Sequence, residues 1–178
     1  MSSHVALLRG INVGGARKIG MSALLGLLKE LGFDDGKSLL QSGNLVFQSD
    51  GKSATELEKL LETETLKRLA LNTDFIVRTG PEWARIIDRN PFPEEAKTDP
   101  SHLVVVFLKA APAKSACEAL RKAITGPELI RFDDRHAYIT YPDGIGRSRL
   151  TNTLIEAKLG MRGTARNWNT VAKIGAML

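Results

Sequence analysis

The hydrophobic positions in the first 79 residues alternate between strand spacing and helix spacing. Short apolar runs predict strands, and apolar residues recurring every three or four positions predict helices. The predicted elements are strand 4–8, helix 21–31, strands 38–41 and 44–48, a helix opened by the capping box of Ser53 and Glu56, and strand 74–79. This order of strand, helix, two strands, helix and strand predicts a split βαβ plait.

The same order of elements recurs after a stretch rich in proline. Pro81 begins a short predicted helix, and Pro91, Pro93 and Pro100 indicate a linker. The second set comprises strand 102–109, helix 113–124, strands 128–132 and 135–141, helix 149–159, a very short strand near 163–165 and a last helix at about 167–177. The sequence therefore predicts an α+β protein with two tandem ferredoxin-like (βαββαβ) halves and an extra C-terminal helix. The predicted domains are residues 1–79, a short helix and linker at 80–100, and residues 101–178.

The plait topology predicts which loops lie together. Its strands alternate in direction, so the loop after the first strand and the turn between the second and third strands lie at the same end of the sheet. We therefore expect the loop at residues 9–18 to lie beside the turn at 41–44.

The composition is that of an ordinary globular protein, but its charge is polarised. Hydrophobic residues make up 43% and charged residues 25% of the 178 residues, which argues against disorder. Residues 144–178 carry six basic side chains and one acidic one, and the first 29 residues carry four basic side chains and no acidic one. If the termini meet, they form a basic surface suited to phosphates; the alternative is a solvated face.

Several classes of protein are disfavoured by simple counts. A single cysteine, Cys117, allows no internal disulfide, and no apolar run approaches the ~20 residues of a membrane helix. The N-terminus also lacks the apolar segment of a secretory signal. We expect a cytoplasmic protein with no membrane partner.

A glycine-rich loop follows the first strand, with the sequence RGINVGG at residues 9–15. The glycines have P-loop spacing, but Ala16 and Arg17 replace the Lys and Ser or Thr that a P-loop requires. Backbone N–H groups near a helix N-terminus, with Arg9 and Lys18, would still suit an anion. The alternative is that the glycines only permit a tight connection.

Three other motifs have both a binding and a structural interpretation. The stretch QSGN at 41–44 is a turn whose side chains could contact a ligand. The stretch YPDGIGRS at 141–148 precedes a helix and carries Arg147, with Arg149 just beyond it, so it could hold an anion or simply cap the helix. In the stretch GTARNWNT at 163–170, Trp168 could stack on a ring while Arg166 pairs with phosphate, or both could pack inside the fold.

The common catalytic constellations are absent from the sequence or weak. His4, His102 and His136 stand near strand starts without a partner at metal-ligand spacing, so we expect no metal site. Cys117 lies on the apolar face of a predicted helix, which is more typical of a core residue than of a nucleophile. The residues identify no catalytic group and no cofactor.

Three stretches together resemble a known family: VALLRGINVGG at 5–15 followed by Lys18 and Met21, QSGNLVF at 41–47, and TARNWNTV at 164–171. They are similar to the bacterial domain-of-unknown-function 1697 family, with YPDG at 141–144 fitting the same pattern. The resemblance covers essentially the whole chain. It implies a plait-type fold in two similar halves and no known activity.

These observations support three hypotheses about function. The first is a binding module for a phosphate-bearing ligand, either a nucleotide-like molecule or nucleic acid; the second is an enzyme that stabilises an anionic substrate electrostatically; the third is a protein-interaction or assembly role in which the motifs are structural. The candidate ligand-binding residues are Arg9, Asn12, Gly14, Gly15, Lys18, Gln41, Ser42, Asn44, Arg147, Ser148, Arg166, Asn167, Trp168 and Asn169.

Overall fold

The computed structural model describes residues 1–12 and 18–178. They form two compact units, one comprising Met1–Asp88 with Ile174–Leu178 and the other Arg89–Lys173. We call these the first and the second unit. The predicted domain boundaries at residues 79 and 101 stay a prediction.

The first unit contains one complete plait. Its elements are β1 (Ser2–Leu8), α1 (Met21–Glu30), β2 (Lys37–Leu39), β3 (Asn44–Ser49), α2 (Ala54–Leu69), β4 (Phe75–Thr79) and α3 (Gly80–Asp88). The sheet is antiparallel with the order β2-β3-β1-β4, which is the ferredoxin-like order. Helices α1 and α2 bury one face of this sheet through a cluster that includes Leu8, Leu24, Phe47, Leu57 and Val77.

The second unit repeats the plait. Its elements are α4 (Pro93–Thr98), β5 (Leu103–Leu108), α5 (Lys114–Ala123), β6 (Leu129–Asp133), β7 (His136–Thr140), α6 (Asn152–Leu159) and β8 (Gly163–Asn167), followed by α7 (Trp168–Gly175), which ends in the first unit. The sheet order β6-β7-β5-β8 matches that of the first unit. The structure therefore confirms the predicted fold class, including the extra C-terminal helix.

The strand register shows a correspondence between the units that the sequence alone does not reveal. Arg78 of β4 pairs with Val5 of β1, and Arg166 of β8 pairs with Val105 of β5. Both arginines are buried, and each donates from its guanidinium to the carbonyl of the preceding residue at 2.9 Å. The same strand position therefore carries a buried arginine in both plaits.

Several boundaries differ from the predicted ones for local reasons. The last strand, expected to be very short, extends over Gly163–Asn167 because it pairs along five residues of β5. Helix α6 begins at Asn152 rather than Arg149 because the Thr151 hydroxyl accepts from Leu154 N and caps it there. The turn between β2 and β3 spans four residues, 40–43, rather than two.

Candidate functional site

The predicted loop site lies at one end of the first unit, where β1 ends. The backbone N–H of Arg9 donates to Asp74 O at 3.0 Å, and the Thr73 hydroxyl donates to Arg9 O at 2.7 Å. The chain then turns at Gly10, whose φ is +63°, and at Asn12, whose φ is +52°. Residues with left-handed backbone are uncommon except for glycine, asparagine and aspartate, so these two positions suit their residue types.

The Asn12 side chain ties this loop together. Its Oδ1 accepts from Ile19 N at 2.9 Å, while its Nδ2 donates to Ile19 O at 3.0 Å and to Gln41 O at 2.7 Å. The first two bonds join the ends of residues 12–19, and the third joins this loop to the turn at 40–43. The expectation that the two segments lie side by side is thus confirmed.

Close packing holds the turn at 40–43 against the end of β1. The Leu8 N–H donates to Gly43 O at 2.9 Å. Gly43 has a φ of +82°, and a β-carbon there would lie 2.7 Å from Ile11 Cδ1 and 2.8 Å from Leu8 Cβ. Only glycine fits this position without a shift of the neighbouring side chains.

The polar side chains of this turn differ in exposure. Asn44 is fully buried, and its Nδ2 donates to Leu39 O at 2.7 Å and to Ser42 Oγ at 3.1 Å. Ser42 is half-buried, whereas Gln41 and Lys18 are exposed. Leu40 is also exposed and has a φ of +61°, which is unusual for a bulky residue. Asn44 and Ser42 therefore brace the turn, and Gln41 and Lys18 face solvent.

Helix α1 begins at this loop, and no side chain among the described residues caps its first N–H groups. Its N-cap residue is Gly20, and its first turn contains no acidic residue. By contrast, Ser53 caps α2 and Thr151 caps α6. Helix α5 also lacks a side-chain cap, and Lys114 is its first residue. Uncapped N–H groups at a helix N-terminus attract anions, and the helix dipole adds to that attraction.

Two surface depressions adjoin the start of α1. The first, which we call the loop hollow, has a volume of about 390 Å³ and is lined by Asn12, Lys18, Ile19, Gly20 and Gln41. The second has a volume of about 550 Å³, shares Lys18–Gly20 with the first, and extends toward residues 69–72. The predicted site residues Gly14 and Gly15 lie outside the described residues.

The loop between β7 and α6 forms a separate site in the second unit. The Tyr141 hydroxyl donates to Leu150 O at 3.0 Å, which closes the loop. The Ser148 hydroxyl donates to Glu128 Oε1 and accepts from Leu150 N at 3.0 Å. Burial, with a smaller contribution from the Glu128 charge, raises the pKa of Tyr141 well above its usual value, so its hydroxyl keeps its proton at neutral pH.

This loop borders a depression of about 400 Å³, which we call the arginine hollow. Its lining residues include Gly126, Glu128, Asp143, Arg147, Ser148 and Arg149. Both arginines are exposed. Two positive and two negative side chains therefore share one concave surface.

The motif at residues 166–169 is placed mainly inside the fold. The Arg166 guanidinium donates to Thr164 Oγ1 at 2.7 Å, and burial lowers its pKa to about 10, so it stays charged at neutral pH. Trp168 is buried, and its N–H donates to Pro100 O at 3.2 Å. Asn167 is half-buried, and its Oδ1 accepts from Thr170 N at 3.1 Å near the start of α7. Asn169 alone of the four is exposed.

The structure thus groups the predicted site residues by unit. Asn12, Lys18 and Gln41 share the loop hollow, with Arg9, Ser42 and Asn44 in the segments that support it. In the second unit, Arg147 and Ser148 share the arginine hollow. The stretch 166–169 lines neither of these two hollows.

The sequence analysis did not identify one candidate pair of side chains, Asp99 and His102. The His102 ring nitrogen Nδ1 lies 2.9 Å from Asp99 Oδ2, and each side chain is a little over 40% exposed. Their spacing of three residues was a weak signal, because nothing in the sequence indicated that Asp99 would follow a helix and turn toward the start of β5. They line a depression of about 310 Å³ in the second unit, which we call the histidine hollow.

Three other features bear on function. Within residues 1–12 and 18–178, no three His, Cys, Asp or Glu side chains are grouped so as to hold a metal ion. None of the described helices has the length and apolar character needed to cross a membrane. Cys117 is buried on α5, and burial raises the pKa of its thiol.

Comparison with solved structures shows a similar fold in a bacterial protein. The structure of conserved bacterial protein SP0830 from Streptococcus pneumoniae matches with a TM-score of 0.78 and 23% sequence identity, covering 99% of this chain and 98% of that one. At this identity the similarity shows the fold alone. No curated protein matches the chain.

The sequence also matches the model of a protein family. The match covers residues 1–138, which include β1, the loop that follows it and the turn at 40–43. The chain therefore belongs to the DUF1697 family, whose description is "Protein of unknown function".

Proposed function

We propose that the protein is a binding module for a phosphate-bearing ligand, which docks in the loop hollow at the start of α1. The observation that carries this proposal is the N-terminus of α1 beside Lys18, where no described side chain caps the helix and the first turn holds no acidic residue. An anion at this position would accept hydrogen bonds from the free backbone N–H groups and would interact favourably with the helix dipole.

The surrounding groups add charge and shape to this site. Lys18 is exposed at the edge of the hollow and supplies a positive charge without a fixed geometry. The exposed Gln41 amide supplies both a donor and an acceptor. A volume of about 390 Å³ suits a small molecule of nucleotide size.

The hydrogen bonds of Asn12 give the site its rigidity. Both hydrogens of its amide are engaged, one with Ile19 O and one with Gln41 O. The two walls of the hollow are thus held in place before any ligand arrives. A site that is ordered in advance loses less conformational entropy on binding.

The proposal is tested by titrating ¹⁵N-labelled protein with adenosine 5′-phosphate at low salt and following each amide signal. We expect signals of Lys18–Ser22 and Gln41 to shift. Lys18→Ala should weaken binding by about tenfold, because it removes a charge-assisted contact with the phosphate.

The matched control is Lys114→Ala, which removes the same charge from the first turn of α5 in the second unit. It should leave the affinity unchanged. Equal affinities of the two variants, or shifts confined to other parts of the chain, would contradict the proposal.

A second titration separates a nucleotide-like ligand from nucleic acid. A fluorescent single-stranded 12-mer is bound at 50 mM and at 200 mM salt. If nucleic acid is the ligand, several phosphate contacts are lost together, and the affinity should fall by orders of magnitude over this range. A ligand with one phosphate group should lose far less.

A further inference from the structure

The second unit contains a hydrogen-bonded acid–base pair that the loop hollow does not use. A carboxylate only accepts hydrogen bonds, so the hydrogen between Asp99 and His102 lies on Nδ1 of the imidazole. In the neutral ring, Nε2 is then the acceptor. Asp99 therefore fixes the tautomer and the orientation of His102, and Nε2 is left to interact with another group.

The Nε2 atom lies close to the loop between β7 and α6. A β-carbon at Gly144 would lie 3.6 Å from His102 Nε2, and Gly144 has a φ of +84°, which favours glycine. One turn of 3₁₀ helix, Ile145–Arg147, follows immediately. The same loop thus passes near the imidazole at its start and carries the arginines at its end.

The histidine hollow and the arginine hollow are neighbours. Pro127 lines both of them. Two pairs of consecutive residues also divide between them, because Glu128 and Asp143 line the arginine hollow while Leu129 and Pro142 line the histidine hollow. The two depressions therefore adjoin at Pro127, and we call them together the groove.

The two ends of the groove have different chemistry. Within the described parts of the chain, the side chains of Arg147 and Arg149 make no hydrogen bond or ion pair, so both guanidinium groups are available to an anion. The Ser148 hydroxyl is engaged with Glu128. One of the two carboxylate oxygens of Glu128 therefore already has a partner within the protein.

At the other end, His102 stands among hydrogen-bond acceptors and apolar carbon. Glu95 and Asp99 contribute carboxylates, and Leu129 and Pro142 contribute apolar surface; Leu129 is 49% exposed. Carboxylates and an unprotonated imidazole nitrogen accept hydrogen bonds from hydroxyl groups, while apolar surface packs against the C–H faces of a ring.

We propose that this groove binds the phosphate ester of a hydroxylated compound, such as a sugar phosphate. The phosphate group binds Arg147 and Arg149, and a hydroxyl group of the same molecule donates to Nε2 of His102. This site is independent of the loop hollow and gives the second unit a binding role of its own.

The first test uses ribose 5-phosphate as the probe and the full-length ¹⁵N-labelled protein. Amide signals of residues 141–149 and the ring signals of His102 should shift on titration. The double substitution Arg147→Ala and Arg149→Ala should weaken binding at least tenfold, because both charge-assisted contacts are lost.

The matched control is the double substitution Lys158→Ala and Lys122→Ala. It removes the same charge from exposed positions of the second unit outside the groove and should leave binding unchanged. Equal affinities of the two double variants would overturn the proposal.

The second test concerns the histidine end. Ribose 5-phosphate should bind about tenfold more tightly than inorganic phosphate, and His102→Phe should remove that advantage while leaving phosphate binding intact. If phosphate alone binds equally well, or if His102→Phe has no effect, the groove recognises only an anion and the proposal fails.

A third measurement separates positioning by Asp99 from simple structural support. In Asp99→Asn, the amide can donate to Nδ1, so the imidazole should populate the tautomer with hydrogen on Nε2. The ¹⁵N chemical shifts of the ring should report this change, and affinity for ribose 5-phosphate should fall while affinity for inorganic phosphate stays constant. Unchanged ring shifts with unchanged affinity would show that Asp99 does not set the state of His102.

Discussion

The two plaits have the same order of strands and helices, but their candidate sites lie at opposite ends of the sheet. In both, the residue that ends the first strand donates to the residue before the third strand at 2.9 Å: Leu8 N to Gly43 O and Leu108 N to Arg135 O. Yet the connection from β1 to α1 covers residues 9–20, whereas that from β5 to α5 covers only 109–113. Connections from strand to helix in such units usually take two to six residues, so the longer one carries an addition beyond what the fold requires.

The second plait carries its additional residues at the opposite end of its sheet. The connection from β7 to α6 runs over 141–151, against 50–53 between β3 and α2. The first plait therefore builds its hollow beside the end of β1, and the second builds its groove beside the start of β5. The shared strands keep the core constant, and the unequal loops separate the two candidate sites.

The largest expected effect is at Gly43, whose place in the second plait is taken by Arg135. Gly43→Ala should lower the free energy of unfolding by about 2–4 kcal/mol, because it combines a left-handed backbone with a β-carbon that overlaps Leu8 and Ile11. Chemical denaturation of both proteins measures the difference.

Gly51→Ala is the matched control for that experiment. Gly51 also has a positive φ, +71°, but a β-carbon there would have no neighbour within 4 Å. We expect a loss of only about 1 kcal/mol. If both substitutions lower the free energy of unfolding equally, the overlap with Leu8 and Ile11 adds no cost at Gly43.

An intermediate effect is expected at Asn12, which has no counterpart in the short connection between β5 and α5. Asn12→Gly keeps the backbone preference but removes three hydrogen bonds, and should cost about 1–3 kcal/mol of unfolding free energy. Hydrogen exchange should rise for the N–H of Ile19 and stay constant in β5–β8. Equal protection of Ile19 in both proteins would show that the side chain does not hold the loop.

The smallest effect is a pH dependence that belongs to the first plait. His4 is buried in β1, and burial lowers its pKa below the usual 6.5, against weaker opposing effects of its bond to Ser2 O and of the Glu82 charge. The unfolded chain therefore binds the proton more readily, so stability should fall as pH drops through about 6.5. Its ring lies 5.9 Å from that of Phe47.

His4→Gln should show a shallower loss of stability between pH 7 and pH 5 than the unmodified protein, measured by urea denaturation at each pH. Carboxylates common to both proteins contribute equally and cancel in the comparison. A parallel pair of curves would mean that His4 keeps its ordinary pKa in the folded state.

The sequence predicted the fold well because the local signals agree with one another. Ser53 and Glu56 form the capping box expected at the start of α2. The spacing of the apolar residues predicted the order of strands and helices along the chain. The burial of Arg78 was not predicted, and that of Arg166 was only one of two alternatives, since a charged residue in a strand is normally expected on a solvated face. The structure shows that both are buried.

The candidate sites were predicted only in part, because side-chain partners are not local in sequence. The loop and the turn at 40–43 were placed together by topology alone, and the bond from Asn12 to Gln41 confirms it. The role of Asn12 as a brace rather than a free surface group depends on Ile19 and Gln41, seven and 29 residues away. Likewise, the proximity of His102 to Gly144, 42 residues away in the chain, has no signature in the sequence.

The paired bonds between Asn12 and Ile19 have a consequence for how the chain tolerates change. They hold Asn12, which follows β1, against Ile19, which precedes α1, so side-chain bonds set the spacing between these two elements. As long as Asn12 keeps these bonds, the spacing between the end of β1 and the start of α1 should stay constant.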